Sequence, residues 1–209
     1  MEESMSTVEG YRQSKGDRAS IVAFIVAGVV LAGWSIVQAV RTIVEAASNR
    51  DVRVLADFAG TTAQAPIGPG GSMREVELAT AYVTAPQLPA ASFVALILRE
   101  ILTAATVVGV IVCLVWLAIN VLRGRIFSRA NTALVAIASV YGLVAWAGIA
   151  LLNTMVANGA IARISDRDFD NPVMSIPLQP LLLLAFAAAI VATAFTVGDR
   201  MRRDTEGLV

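Results

Sequence analysis

The chain contains no histidine, and its single cysteine is Cys113. The first absence removes imidazole acid–base chemistry and His-containing metal cages; the second removes intrachain disulfides and paired-cysteine redox motifs. Charge is scarce too: 15% of the 209 residues are charged, and sixteen Lys plus Arg cancel sixteen Asp plus Glu. Without a cationic excess to neutralise phosphates over a broad surface, direct nucleic-acid binding is not expected. No serine or threonine has a suitable base to activate it. Neither an enzyme, a metal site nor a cofactor is therefore expected. What is present is apolar: 57% of residues are hydrophobic and the mean hydropathy is +0.72, a balance outside that of soluble globular domains.

A bilayer core of roughly 30 Å takes about 20 apolar residues of helix, and the chain offers four such stretches. They predict an all-α membrane protein, a four-transmembrane-helix bundle with a small extracytoplasmic cap containing a β-hairpin. Residues 1–18 form an N-terminal tail, 19–40 the first span, 41–98 a long loop with the hairpin, and 99–122 the second span. A short loop at 123–131 leads into the third span at 132–157; a second long loop at 158–177 precedes the fourth span at 178–198 and the tail at 199–209. The first stretch reads as a span, not a cleaved signal: its apolar run is long, and Glu2, Glu3, Glu9 and Asp17 precede it. Counting cations on alternating sides places Arg12, Lys15, Arg18, Arg123, Arg125, Arg129, Arg200, Arg202 and Arg203 together, mostly close to the spans. The positive-inside rule then puts both termini in the cytoplasm of a multi-pass cell-membrane protein.

Within the first outer loop, Val52, Val54, Ala56 and Phe58 alternate with Asp51, Arg53, Leu55 and Asp57; Val76, Leu78, Thr80 and Tyr82 alternate with Glu75, Glu77, Ala79 and Ala81. Both runs predict strands, with Gly60–Ser72 as a Gly- and Pro-rich tip. Two strands are marginal alone, so the hairpin must pack on the bundle, the second outer loop or another chain. In that second loop, Asp166, Asp168 and Asp170 alternate as at the start of a calcium loop, but Asn171 and Pro177 stand where an EF-hand needs Gly and Glu. A solvated acidic loop is the simpler expectation.

Helices in lipid associate through small residues and interhelical hydrogen bonds. Gly28 with Ala32, Ala105 with Gly109, Ala138 with Gly142, and Ala185 with Ala189 each recur at a spacing of four, and Asn153 is placed to bond across helices. These pairs predict a compact bundle; they also suit a homo-oligomer. No Asp, Glu, Lys or Arg falls in the central turns of any span, which disfavours coupled proton or ion transport.

Two segments carry sharper wording. One reads Arg123-Gly124-Arg125-Ile126-Phe127-Ser128-Arg129-Ala130-Asn131; the other is Phe195-x-x-Gly198-x-x-Met201-x-x-Asp204, ending at Leu208 and Val209. Gly124 permits a tight turn, Ser128 or Asn131 can cap the third helix, and Phe127 can anchor at the interface. In span order and in these two stretches the chain resembles the DUF2975 family of bacterial four-span membrane proteins. That resemblance implies signalling to, or tethering of, a small cytosolic helix-turn-helix regulator. The residues expected to hold it are Arg125, Phe127, Arg129, Met201, Arg202, Arg203 and Leu208. The alternative is an oligomeric pore or transporter component lined by Gln38, Asn120 and Asn153; the lipid bilayer is a partner in either case.

Overall fold

A computed structural model describes residues 15–123, 128–169 and 177–206. Their order is α1 (Lys15–Ala46), β1 (Val52–Ala65), β2 (Arg74–Ala85), α2 (Ala90–Leu122), α3 (Arg129–Ile164) and α4 (Leu178–Glu206). All four helices are long and apolar enough to cross a membrane, and the strands form one antiparallel two-stranded ribbon.

The helices pack in chain order, α1 on α2, α2 on α3 and α3 on α4. Among the described residues no extensive contact closes α4 back onto α1, so the expected compact bundle is an open row with α2 and α3 at its centre. Each flanking helix uses one narrow stripe. In α1 the shielded positions are Ile21, Ile25, Gly28, Ala32, Ser35, Ala39, Thr42 and Ala46, in alternating steps of four and three. In α4 they are Leu181, Ala185, Ala188, Ala192, Phe195 and Asp199. A mean step of about 3.5 residues keeps a seam on one neighbour, as in a left-handed coiled coil. Trp34, Val37, Leu183 and Phe186 lie off these seams and are exposed, the arrangement an apolar solvent requires.

All four helices overrun the expected spans, two of them furthest at the hairpin end. The 33-residue α2 starts at Ala90, and the 36-residue α3 runs to Ile164. At about 1.5 Å per residue α3 is about 54 Å long, far more than a roughly 30 Å apolar layer can contain. The surplus builds the floor of the cap. Val52, Val54, Ala56 and Ala85 of the ribbon share one buried cluster with Leu88, with Ala95 and Leu96 of α2 and with Val156, Ala157, Ala160 and Ile161 of α3, the helix the ribbon lies against. Close approach is possible because Gly159 faces Ser92: a Cβ at Gly159 would overlap that side chain, whose Oγ donates to the Met155 carbonyl at 3.1 Å.

The ribbon is tied at its root. Asn49 Nδ2 donates to the Leu88 carbonyl at 3.0 Å, the Leu88 amide donates to Asn49 Oδ1 at 2.9 Å, and the Asp51 amide donates to the Pro86 carbonyl at 3.1 Å. Above the root the register shifts between Asp57 and Thr61: Phe58, Ala59 and Gly60 stand opposite Ala79 alone. Gly60 takes φ +76° there, a conformation glycine adopts without steric cost. The bulge corrects one expectation. Val76 and Leu78 are shielded as expected, but Tyr82 is exposed, and Ala81, Val83 and Ala85 face the core instead. Two extra residues leave shielded positions paired with shielded positions, but both strands change face at the bulge: β1 from Val52, Val54 and Ala56 to Thr61 and Ala63, and β2 from Ala85, Val83 and Ala81 to Leu78 and Val76. The strands also reach Ala65 and Arg74, further than anticipated, so the turn is confined to residues 66–73. Phe169 of the second long loop packs against Phe58, ring centroids 6.4 Å apart, so that loop joins the cap.

Candidate functional site

The end of the molecule opposite the hairpin brings the two worded segments together. Ser128 caps α3, its Oγ accepting from the Asn131 amide at 3.2 Å, as an N-cap serine does. Asn131 is fully buried, and its Oδ1 accepts from Asn120 Nδ2 of α2 at 2.7 Å. Removing one partner from such a buried pair costs about 1–3 kcal/mol. Thr132 Oγ1 sits 3.2 Å from the Ser128 carbonyl and 3.5 Å from the Phe195 carbonyl of α4. The amide pair thus fixes α2 against the start of α3, and Thr132 sets α4 beside it.

Between α3 and α4 these contacts leave a groove of about 560 Å³. Arg129, Thr132, Ala133 and Ala136 line it from α3, and Thr196, Asp199, Arg200, Arg203 and Asp204 from α4. Arg203 is bonded to Asp199 one helical turn away, and Asp199 is 5% exposed. Three guanidinium groups face two carboxylates, and the positive end of the α3 dipole adds to the cations. The groove therefore carries an excess of cations, with the small side chains Ala133 and Ala136 exposed beside them and Asp199 buried.

Of the residues expected to bind a partner, Arg129 and Arg203 line this groove. Met201 is 64% exposed on α4. Arg202 belongs to α4, but its side chain, like the whole of Arg125, Phe127 and Leu208, lies outside the described residues. Sequence reasoning placed Asp204 in the tail motif without giving it a contact, and did not single out Asp199 or Thr196; the Asp199–Arg203 spacing of four was the signal for Asp199.

The packing residues divide. A Cβ on Gly28 would lie 3.2 Å from Ile111 Cγ2, and one on Gly109 would lie 3.1 Å from Tyr141 Cε1, so both glycines sit at tight contacts with a neighbouring helix. Ala32 falls on the α1 seam. Around Gly142 that space is open, and the tight positions on α3 are Gly148, against Leu102, and Gly159. Asn153 does bond across helices: its Oδ1 accepts from Arg99 Nη1 at 3.1 Å, while Arg99 Nε donates to Glu100 at 2.9 Å. Cys113 is half-buried in α2. Among the described residues no three His, Cys, Asp or Glu side chains are grouped to hold a metal ion.

The chain matches no family model, no curated protein and no solved structure.

Proposed function

We propose that this chain is a non-enzymatic, DUF2975-like cell-membrane protein with both termini in the cytoplasm, which tethers or signals to a cytosolic partner through the groove between α3 and α4. One observation carries the proposal: two segments distant in sequence contribute Arg129, Arg200 and Arg203 to a single groove beside a helix N-terminus. Such a surface suits an acidic amphipathic helix, whose carboxylates meet the rim and whose small apolar face meets Ala133 and Ala136. A small helix-turn-helix regulator is the expected partner class.

A mild-detergent pull-down from native membranes, with an N-terminal tag and mass spectrometry, tests this. The intact chain should retain a small DNA-binding protein that an Arg129→Ser, Arg200→Ser, Arg203→Ser variant loses. An unchanged set of partners overturns the assignment. Orientation has its own test: an impermeant thiol reagent applied to intact cells should label Gly70→Cys at the ribbon tip and spare Asp204→Cys; the reverse pattern overturns it.

A further inference from the structure

We propose that the groove between α3 and α4 seats the phosphodiester of an anionic phospholipid from the cytoplasmic leaflet, with Arg129 and Arg200 on the phosphate and an acyl chain along Ala133 and Ala136. This is the groove proposed to hold a cytosolic partner. The inference rests on that reading for the choice of leaflet and for one regulatory consequence: a seated lipid must leave before a partner's carboxylates reach the same guanidinium groups.

Charge selects the headgroup. Three arginines and two aspartates line the groove, a net excess of one positive charge, and a phosphodiester is a monoanion. Arg203 is held by Asp199. Arg129 from α3 and Arg200 from α4 are exposed and form no ion pair with another described residue, so they are the cations open to a ligand; Asp204, one turn beyond Arg200, is the remaining carboxylate. A guanidinium fork matches the oxygens of a phosphate.

Depth selects a lipid over a soluble phosphate. The contact of Thr132 Oγ1 with the Phe195 carbonyl, at 3.5 Å, fixes α3 and α4 side by side. Arg129, one turn before Thr132, and Arg200, about one turn after Phe195, line the same opening. Ala133 and Ala136 follow Arg129 by four and seven residues, so at about 1.5 Å per residue the lining runs about 10 Å along α3 beyond its cation. That direction leads into the charge-free part of a helix long and apolar enough to cross a membrane. The groove is thus charged at one end and small and apolar at the other, the division of a phospholipid itself. A soluble phosphate compound would engage the arginines and leave both alanines uncovered. Basic pockets between transmembrane helices on the cytoplasmic side are a recurrent form of site for anionic headgroups.

The test uses the full chain in a non-ionic detergent, with native mass spectrometry counting bound ligands. Four probes are titrated: dioleoyl phosphatidylglycerol; dioleoyl phosphatidylcholine, which has no net charge; dioleoylglycerol, which lacks the phosphate; and glycerol phosphate, which lacks the chains. One phosphatidylglycerol should bind at least tenfold more tightly than any of the other three. Arg129→Ser with Arg200→Ser should weaken that site at least tenfold, whereas Arg41→Ser, exposed and outside the groove, should leave it unchanged. If the double variant fails to fold, as judged by circular dichroism, Ala136→Phe obstructs the chain path without altering charge and should weaken phosphatidylglycerol to the same extent. Phosphatidylglycerol affinity no greater than that of phosphatidylcholine or dioleoylglycerol, or unchanged in the folded groove variants, overturns the proposal. Equal affinity for glycerol phosphate also overturns it and assigns the groove to a soluble phosphate. No arm involves a cytosolic protein, so failure here is distinct from failure of the tethering reading.

Discussion

The two ends of the helix row are held by different chemistry. At the hairpin end, α2 and α3 meet the ribbon through buried Val, Ala, Leu and Ile side chains, with Gly159 letting the helices approach. At the other end, the junction of α2, α3 and α4 rests on polar contacts: the Asn120–Asn131 pair, the Ser128 cap and the Thr132 hydroxyl. Apolar burial stabilises contacts only where water is the alternative. The overhanging parts of α2 and α3 satisfy that condition, because the helices exceed an apolar layer's thickness. Between the two ends, where an apolar layer would surround the helices, close approach falls to small residues such as Gly28 and Gly109.

That contrast can be broken from either end. Leu96→Ala should have the largest effect: Leu96 is 2% exposed, and truncating such a side chain costs about 2–5 kcal/mol. The cap should become protease-sensitive at the ribbon root while hydrogen exchange at Asn131 stays slow. Gly159→Val, which drives a side chain into Ser92, should cost about 1–3 kcal/mol by overpacking and open the same region; thermal unfolding in detergent measures both. Asn131→Ala should cost about 2 kcal/mol by stranding Asn120, and exchange should now quicken where α2 meets α3 and not in the ribbon. Ser128→Ala removes a helix cap and should cost about 1 kcal/mol at the same end. Arg41→Ala, which removes an exposed pair with Glu45, should leave the unfolding midpoint unchanged. Equal responses at both ends to Leu96→Ala and Asn131→Ala would erase the distinction.

The sequence made the four helices legible because their charge-free runs are long, and the strands because apolar residues alternate in Val52–Phe58. It hid the overhangs. Ala90–Leu98 carries no charge, yet it falls between Pro89 and the Arg99–Glu100 pair that reads as a membrane boundary. Gly159 next to Asn158 reads as the start of a loop, whereas it is a helix–helix contact whose reason, Ser92, lies on another helix. The alternation read for β2 does not run through the whole strand, because a bulge is a property of two strands and leaves little trace in one. For the arginine-rimmed groove, both contributing segments were legible; their pairing, and the carboxylates of Asp199 and Asp204 among them, needed the fold.

The reciprocal bonds between Asn49 and Leu88 give the ribbon a modular character. They bring the exit from α1 and the approach to α2 to one point, so everything between is a closed detour from the membrane path. A detour of this kind can be exchanged like a cassette. Paired residues can be added or removed beyond the bulge, or the tip replaced by a different sequence, without shifting the register of any helix. Reach and chemistry at the far end of the ribbon are thereby free to diversify while the scaffold beneath them stays the same.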